Sequence, residues 1–296
     1  MMTKHGPVNI HWGNMLFMIM AHFIGISGAI YYQMPVNFEW HFWLLVLELW
    51  ASRAMGITAG YHRLFSHKTY ECSLWVKVLM LLLGASALEN SALKWVADHR
   101  RHHRYVDTNR DPYNIKRGGL WAHILWIVFK ILGEKEDLSN VQDLLKDPIV
   151  MLQHKYYLWI AILMDAILPM VITWLLWGNP LMGLIASFIA AVLAWHATFF
   201  INSLAHMKHW FSTQSYSRAN TAVDSPIVAL LTFGEGYHNY HHAQAWDYRN
   251  GVRWYQYDPT KWLIFLLSLI GATWDLRYAS DEEIKALRLA ATLETA

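Results

Sequence analysis

Long runs without Asp, Glu, Lys or Arg alternate along this chain with charged segments. Residues 5–38 contain none of the four, and Asp165 is the only one among residues 156–206. A helix rises about 1.5 Å per residue, so about 20 apolar residues cross a hydrocarbon core of roughly 30 Å. The pattern predicts an all-α integral membrane protein with four transmembrane helices in two hairpins, at about residues 14–33, 40–59, 156–177 and 181–203.

Short breaks separate the helices within each hairpin. Residues 34–37 divide the first hairpin, and Gly178-Asn179-Pro180 divides the second. The second span contains Glu48 and Arg53, which indicates polar contacts inside the membrane. Two further apolar segments, 74–93 and 262–274, are interrupted by charges or too short to span, so we expect them at the membrane interface or against the cytosolic domain.

The positions of the basic residues predict the orientation of the spans. Of the 24 Lys and Arg residues, 14 lie between positions 63 and 155 and 8 between positions 208 and 288, whereas the two hairpin turns contain none. The positive-inside rule places both large segments, and both termini, in the cytoplasm. Because neither repeats nor linkers divide the chain, we expect one domain over residues 1–296, with a helical cytosolic cap formed by residues 60–155 and 205–296.

The composition narrows the chemistry further. The 296 residues are 55% hydrophobic and carry a formal charge of only +2, which argues against a disordered chain, an ordinary soluble domain or a nucleic-acid-binding protein. Cys72 is the only cysteine, so an internal disulfide, a Cys-x-x-Cys zinc site and an iron–sulfur cluster are excluded. Seventeen histidines are an excess that insertion into a membrane does not explain.

Eight of these histidines fall in three clusters within the predicted cap. The sequences are H-R-L-F-S-H at 62–67, H-R-R-H-H at 99–103 and H-N-Y-H-H at 238–242. In H-x-x-H-H, helical residues at i, i+3 and i+4 share one face, so each cluster can present two or three imidazoles to one point. His62 and His67 are roughly 140° apart on an α-helix, so we expect a helix end or turn between them.

A ninth histidine, His206, leaves the fourth span at the height where His62 leaves the second. Four to six donors saturate a transition metal, so nine imidazoles on one side of the membrane indicate two metal ions.

These motifs resemble those of the membrane-bound fatty acid desaturases, and within them the stearoyl-CoA (delta-9) desaturase group. The resemblance covers the chain from about His11 to Trp274. It is carried by the three histidine clusters, D-H at 98–99, D-P-Y-N at 111–114, N-S-L-A-H at 202–206 and G-E-G-Y at 234–237.

The resemblance implies a four-span stem under a cytosolic cap that holds two irons per chain. It implies that Asn202 meets one iron through a water, and that the iron ligands are His62, His67, His99, His102, His103, His206, His238, His241 and His242. The implied reaction is the oxygen-dependent removal of two vicinal hydrogens from a saturated long-chain acyl group, which leaves a cis double bond, expected at delta-9, and two waters.

Further residues are expected to assist this chemistry. Ligating imidazoles need acceptors for their other N–H, and the nearby carboxylates are candidates, Asp98 and Glu235 first among them, with Asp107, Asp111 and Asp247. The electrons must come from a separate cytochrome or ferredoxin with its reductase, which can dock at Arg100, Arg101 and Arg104, although these residues equally suit contact with membrane lipids. The family pattern has an Arg for the CoA head group where this chain has Ala97. The possible substitutes for it are Arg104, Arg110, Lys116 and Arg117.

Several alternatives stay open at this point. The acyl carrier can be CoA, a lipid or a carrier protein, and a di-iron hydroxylase can act on the same chain. From a different class, the protein can be a metal transporter, or a haem-binding electron carrier with His22 and His196 as axial ligands.

Overall fold

The computed structural model describes residues 2–3, 6–131 and 137–294, so the two chain ends, for which the sequence predicts a cytoplasmic position, lie outside the described residues. The described chain is mostly helical, which confirms the predicted fold class. The α-helices are α1 Trp12–Gln33, α2 Trp40–Met55, α3 Leu74–Ala85, α4 Ala92–Tyr105, α5 Trp126–Val128, α6 Gln142–Leu145, α7 Pro148–Lys155, α8 Tyr157–Ile162, α9 Leu168–Trp177, α10 Pro180–Asn202, α11 Pro226–Leu231, α12 His238–Ala243, α13 Pro259–Leu269 and α14 Asp281–Leu293.

Tighter and wider helical turns extend or connect these helices. The 3₁₀ turns cover Ile115–Arg117, Ser139–Val141 and Leu204–His206. The π-helical segments cover Gly56–Ser66, Trp121–Leu125 and Leu163–Ile167. The first of them continues α2 without a break.

Four helical stretches are long and apolar enough to cross a membrane, which confirms the predicted four spans. The second stretch runs through the π-helix to Ser66, beyond residue 59, where the sequence places its end. Within the stem, α10 is the central helix and packs against α1, α2 and α9. The four stretches are Trp12–Gln33, Trp40–Ser66, Tyr157–Trp177 and Pro180–His206.

A buried ion pair crosses the stem. Arg53 on α2 is 1% exposed and donates from Nη2 to Asp165 Oδ1 at 2.6 Å and to Ser187 Oγ at 2.5 Å. Its Nε also donates to the carbonyl of Ser86 at 2.7 Å. A charge in a span is tolerated only when it is paired in the protein interior. The ion pair joins the second and third spans, and the hydrogen bond to Ser187 joins both to the fourth.

The cap has a separate core under the π-helix. Ile57, Tyr61 and Phe65 of the π-helix pack with Met80 of α3 and Val96 of α4. The α3 and α13 helices are 12 and 11 residues long and too short to span. Both pack on the π-helix by one face and leave apolar side chains such as Trp75 and Leu266 exposed on the other. This arrangement is typical of helices at a membrane interface.

Five short strands complete the described fold. They are β1 Met2–Thr3, β2 Gly6–Ile10, β3 Glu71–Cys72, β4 Phe129–Ile131 and β5 Thr273–Trp274. Antiparallel pairing of β2 with β4 places Asn9 opposite Lys130 and fastens residues 121–131 to the start of α1. The second sheet pairs β3 with β5 and joins the two halves of the cap.

Candidate metal centre

The π-helix at the end of the second span brings the first two histidines together. A π-helix hydrogen-bonds residues five apart, and the N–H of His67 donates to the carbonyl of His62 at 3.1 Å. The helix ends at Ser66, so the helix end expected between the two histidines is present, and the wider turns before it bring the two ring centroids to 4.9 Å. Gly56 permits this packing, because a Cβ there would lie 2.3 Å from the backbone of α3 at Gly84.

The other candidate ligands come from α4, the turn after α10, and α12. His99, His102 and His103 lie in the last two turns of α4, as the i, i+3, i+4 spacing predicts. His206 ends the 3₁₀ turn that follows α10. The remaining three lie on α12, which follows a sharp turn at Gly234, where φ is +101° and a Cβ would lie 2.6 Å from Asp258.

The structure brings all nine histidines together in two adjacent groups. In each group the candidate nitrogen atoms lie within 4.8 Å of one another. The ring of His103 from one group stacks on His242 from the other at a centroid distance of 4.3 Å. The five-histidine group contains His62, His67, His99, His103 and His241, and the four-histidine group contains His102, His206, His238 and His242.

The Nε2 atoms converge within each group. In the five-histidine group, His241 Nε2 lies 3.0 Å from Nε2 of both His62 and His103. In the four-histidine group, His238 Nε2 lies 3.1 Å from Nε2 of both His206 and His242. Two nitrogens bound to one metal at about 2.0–2.1 Å, with an angle of roughly 90–110°, are separated by roughly 2.9–3.4 Å. The nitrogen donors therefore fit one metal ion in each group.

The opposite ring nitrogens of two candidate ligands face carboxylates. His62 Nδ1 lies 2.8 Å from Glu235 Oε2, and His102 Nδ1 lies 2.9 Å from Asp111 Oδ1. A proton held on Nδ1 leaves the Nε2 lone pair free for a metal, and such carboxylates also fix the ring orientation. Of the predicted carboxylates, Glu235 and Asp111 are in this position, whereas Asp98 forms an ion pair with Arg101 at 3.1 Å.

Glu235 belongs to a buried charge network. Arg63 Nη2 donates to Glu235 Oε1 at 2.8 Å and to Asp258 Oδ1 at 2.9 Å, and Asn250 donates to Glu235 Oε2 at 2.7 Å. Burial opposes ionisation of Glu235, but the charges and hydrogen bonds of His62 and Arg63 outweigh it and lower its pKa to about 2. The carboxylate is therefore ionised at neutral pH.

Burial also controls the charge state of the imidazoles. Desolvation, reinforced by the neighbouring imidazoles, lowers the pKa well below the usual histidine range at six of these positions outside the spans. Neutral imidazole is the form that binds transition metals, so the groups are ready to accept an ion at neutral pH. The six are His67, His99, His103, His238, His241 and His242.

A cavity of about 770 Å³ connects the histidines to the interior of the stem. Candidate ligands from both groups line it, and Asn202, the predicted water-mediated contact, lines it as well. Apolar side chains from all four spans line it. The lining includes His62, His99, His102, His238, Phe17, Met18, Ile57, Ala161, Trp195 and Phe199.

Three polar residues of the cavity wall form a contact that the sequence analysis missed. Glu89 accepts hydrogen bonds from Trp95 Nε1 at 3.0 Å and from Thr198 Oγ1 at 2.7 Å. The Trp95 ring stacks on His99 at 4.9 Å. Burial raises the pKa of Glu89 to about 7. Its charge near the end of the apolar segment 74–93 was the signal available in the sequence.

The predicted head-group residues lie elsewhere. Arg110 and Arg104 contact the ring of Tyr105, and Arg117 donates to the carbonyl of Asn109. These cations and Lys116 are outside the cavity wall. The basic residues in that wall are Lys94, Arg101 and Lys130, and Ala97 lies on the same face of α4 as the first two.

Arg100 does not present its charge to a partner. Its five N–H groups donate to the carboxylate of Asp143 and to the carbonyls of Asn140, Phe65 and Ser66, at 2.7 to 3.1 Å. Arg100 therefore ties α4 to the end of the π-helix, a structural role that the sequence did not predict.

The haem alternative does not fit the geometry. His22 Nε2 lies 3.1 Å from His196 Nε2, whereas axial nitrogens on opposite sides of an iron at about 2.0 Å would be roughly 4 Å apart with the porphyrin between them. His196 is also engaged by His123 at 3.0 Å, so these three imidazoles form a hydrogen-bonded chain.

Comparisons with known proteins identify relatives of this arrangement. A family model for fatty acid desaturase matches residues 38–268. A probable acyl-CoA desaturase of Schizosaccharomyces pombe is 43% identical over 82% of this chain and 50% of its own length. Human stearoyl-CoA desaturase 5 is 32% identical over 94% of this chain and 84% of its own. The sn-1 stearoyl-lipid 9-desaturase of Anabaena variabilis is 30% identical over 93% of this chain and 96% of its own length. The chain spans about half the length of the Schizosaccharomyces pombe protein and of acyl-CoA desaturase 1 of Saccharomyces cerevisiae, which it also matches.

Proposed function

We propose that this chain, which belongs to the fatty acid desaturase family, is an oxygen-dependent desaturase that introduces a cis double bond at the delta-9 position of a saturated long-chain acyl group. The observation that carries the proposal is the opening of both histidine groups onto one cavity that continues between apolar helices. A single domain over the whole chain would combine the stem, the cap and the site.

The nine histidines are assigned as ligands of two irons, one in each group. Iron bound there would supply the redox chemistry with O₂ that removes two vicinal hydrogens. The overall reaction consumes one O₂, two electrons and two protons, and yields the alkene and two waters. Nitrogen-rich sites that keep open positions suit this chemistry, because imidazoles do not neutralise the metal charge.

The chain's own residues bind and orient the substrate in this proposal. Phe17, Trp195 and Phe199 enclose the acyl chain and exclude water from it. Trp95, held by Glu89 and stacked on His99, limits where the chain can pass beside the five-histidine group. Asn202 would contact one iron through a water at the cavity wall.

The acyl carrier is proposed to be CoA. Lys94 and Arg101 lie about one helical turn to either side of Ala97, so the face of α4 that lacks the family's Arg still carries positive charge for phosphate groups. The names of the relatives from Schizosaccharomyces pombe and human also support CoA. An acyl lipid is the second candidate, because the Anabaena relative is a stearoyl-lipid desaturase that matches over almost its full length.

We also propose that the histidine groups and the termini face the cytoplasm, since the basic residues concentrate on that side. An external cytochrome or ferredoxin with its reductase would deliver the electrons there. Arg104 remains exposed for this contact, in contrast to Arg100.

Product analysis tests the proposal. The chain is expressed in a host whose lipids are saturated, and the products are analysed by mass spectrometry with localisation of the double bond. We expect a cis-9 monounsaturated chain. A hydroxylated product, or unchanged lipids in cells that contain inserted, iron-loaded protein, would overturn the assignment.

The acyl carrier is tested with purified enzyme and a reconstituted electron donor. Stearoyl-CoA, stearoyl phospholipid and stearoyl carrier protein are offered in parallel to the natural chain and to Ala97→Arg. Preferential conversion of stearoyl-CoA by both proteins supports CoA and indicates that the neighbouring cations compensate for Ala97. Preferential conversion of the phospholipid would make the lipid the substrate.

A further inference from the structure

Among the described residues, His206 has no direct carboxylate contact of the kind seen at His62 and His102. Its Nδ1 lies 2.9 Å from Thr221 Oγ1, in the loop between the fourth span and α11. The hydroxyl of Thr221 donates to Asp107 Oδ1 at 2.7 Å, and the N–H of Thr221 donates to Asp107 Oδ2 at 2.8 Å. Thr221 therefore stands between the histidine and a carboxylate.

The donors and acceptors in this contact determine the tautomer of His206. Because the Thr221 hydroxyl proton is directed to Asp107, its oxygen can only accept from His206. His206 must then carry its proton on Nδ1, which leaves a lone pair on Nε2. That Nε2 atom faces Nε2 of His238 at 3.1 Å, inside the four-histidine group.

The position of Asp107 is determined by the end of α4. Asp107 follows the helix with φ of +64°, a left-handed conformation that Asp tolerates better than most residues. Its N–H donates to Asp111 Oδ2 at 3.2 Å, and Asp111 Oδ1 is the atom that faces His102. One turn of the chain, residues 107–111, thus supplies the carboxylates behind two members of the four-histidine group.

We infer that Thr221 is a positioning residue for the metal site: with Asp107 it holds His206 in the tautomer and orientation that complete the four-histidine group. The inference rests on the proposed function, since it concerns the metal bound at that group. A contact of this kind typically contributes 10–100-fold to metal affinity.

The test compares matched threonine variants of the full-length protein in detergent. Thr221→Val removes the hydroxyl at nearly constant volume, and Thr221→Ser keeps it. Thr213→Val is the control, because Thr213 lies in the same loop with an exposed side chain and pairs with Asp224 through its backbone only. Each protein is loaded anaerobically with ferrous iron and titrated with a competing chelator, and the bound iron per chain is measured.

We expect Thr221→Val to lose one of its two irons at a chelator concentration 10–100-fold lower than the concentration that removes this iron from the natural chain. The second iron should be released at the same concentration in both proteins. Thr221→Ser and Thr213→Val should retain both. Loss of both irons together with a lower melting temperature of the metal-free protein would indicate a merely structural role and overturn the inference. Wild-type retention of both irons by Thr221→Val would also overturn it.

Asp107→Asn provides a second variant if Thr221→Val does not fold. The N–H and the hydroxyl of Thr221 both donate to Asp107, and the side-chain amide of Asn has only one oxygen to accept them. The same selective loss of one iron is therefore expected. The readout is metal content, so it is separable from product analysis: a hydroxylated product would end the desaturase assignment and leave this inference intact.

Discussion

The two histidine groups are built from different kinds of structure. The five-histidine group takes His62 and His67 from the π-helix and the residue that follows it. Its carboxylate, Glu235, is fixed by Arg63 and Asn250 in the cap interior. The four-histidine group depends on the turn at residues 107–111 and on the loop that carries Thr221. Among its supporting side chains, Asp111 is as buried as Glu235, whereas Asp107 and Thr221 are only partly buried. From this comparison we expect the five-histidine site to bind metal more tightly and the four-histidine site to lose it first.

The largest effect is expected when one ligand is removed from either group. His67→Ala and His206→Ala should each abolish desaturation, to below about 1% of the natural rate, because both irons are required. Each variant should retain about one iron when inserted and folded. Activity is measured by product formation and iron by elemental analysis.

The control for these variants is His209→Ala. His209 lies three residues beyond His206 but outside both histidine groups, and it should leave activity and iron content unchanged. Equal activity in His206→Ala and His209→Ala would show that the ninth ligand is misassigned.

An intermediate effect is expected from the carboxylate behind His102. Asp111→Asn keeps the shape of the side chain and weakens the acceptor for His102 Nδ1. Iron affinity should fall about 10–100-fold at one of the two sites only. Chelator titration of the purified protein measures it, and an equal loss at both sites would remove the distinction between the groups.

The smallest effect concerns Glu89, which contacts both sides of the centre through Trp95 on α4 and Thr198 on α10. Its folded pKa of about 7 lies above the unfolded value near 4.5, so the folded chain binds more protons between these values. The ionisation of Glu89 therefore makes the free energy of unfolding highest at low pH. The free energy of unfolding decreases as the pH rises from about 4.5 to 7, and Glu89 does not change it further above pH 7.

Glu89→Gln should remove this part of the pH dependence. Melting temperatures of the natural chain and of the variant are compared at pH 5 and pH 8. The difference between the two proteins should be larger at pH 8, where the natural chain carries a buried charge and the variant does not. A difference that is independent of pH would show that Glu89 does not titrate in this range.

The membrane architecture follows from the sequence because the bilayer imposes a simple rule. Charge-free runs of about 20 residues must be helical spans, and Arg53 and Asp165 are tolerated only as a pair. The gathering of the nine histidines was equally predictable, since i, i+3, i+4 spacing and a common side of the membrane bring them close together. The π-helix could not be predicted from the sequence, because the α-helix is the default geometry for a helical segment.

Contacts between distant segments were the least predictable part of the site. The hydrogen bonds of Arg100 could not be predicted because its acceptors lie on residues 65, 66, 140 and 143, which only the tertiary structure brings together. The roles of Asp107 and Thr221 depend on a contact between residues 114 positions apart. Local patterns indicate which residues share a helix face, but they do not specify what another segment places against that face.

The most direct measurement is the iron content of the purified natural chain made in iron-replete medium, followed during titration with a chelator. We expect about two irons per chain, released in two steps, with loss of desaturation at the first step. A single iron per chain, or tightly bound zinc with full activity, would contradict this expectation.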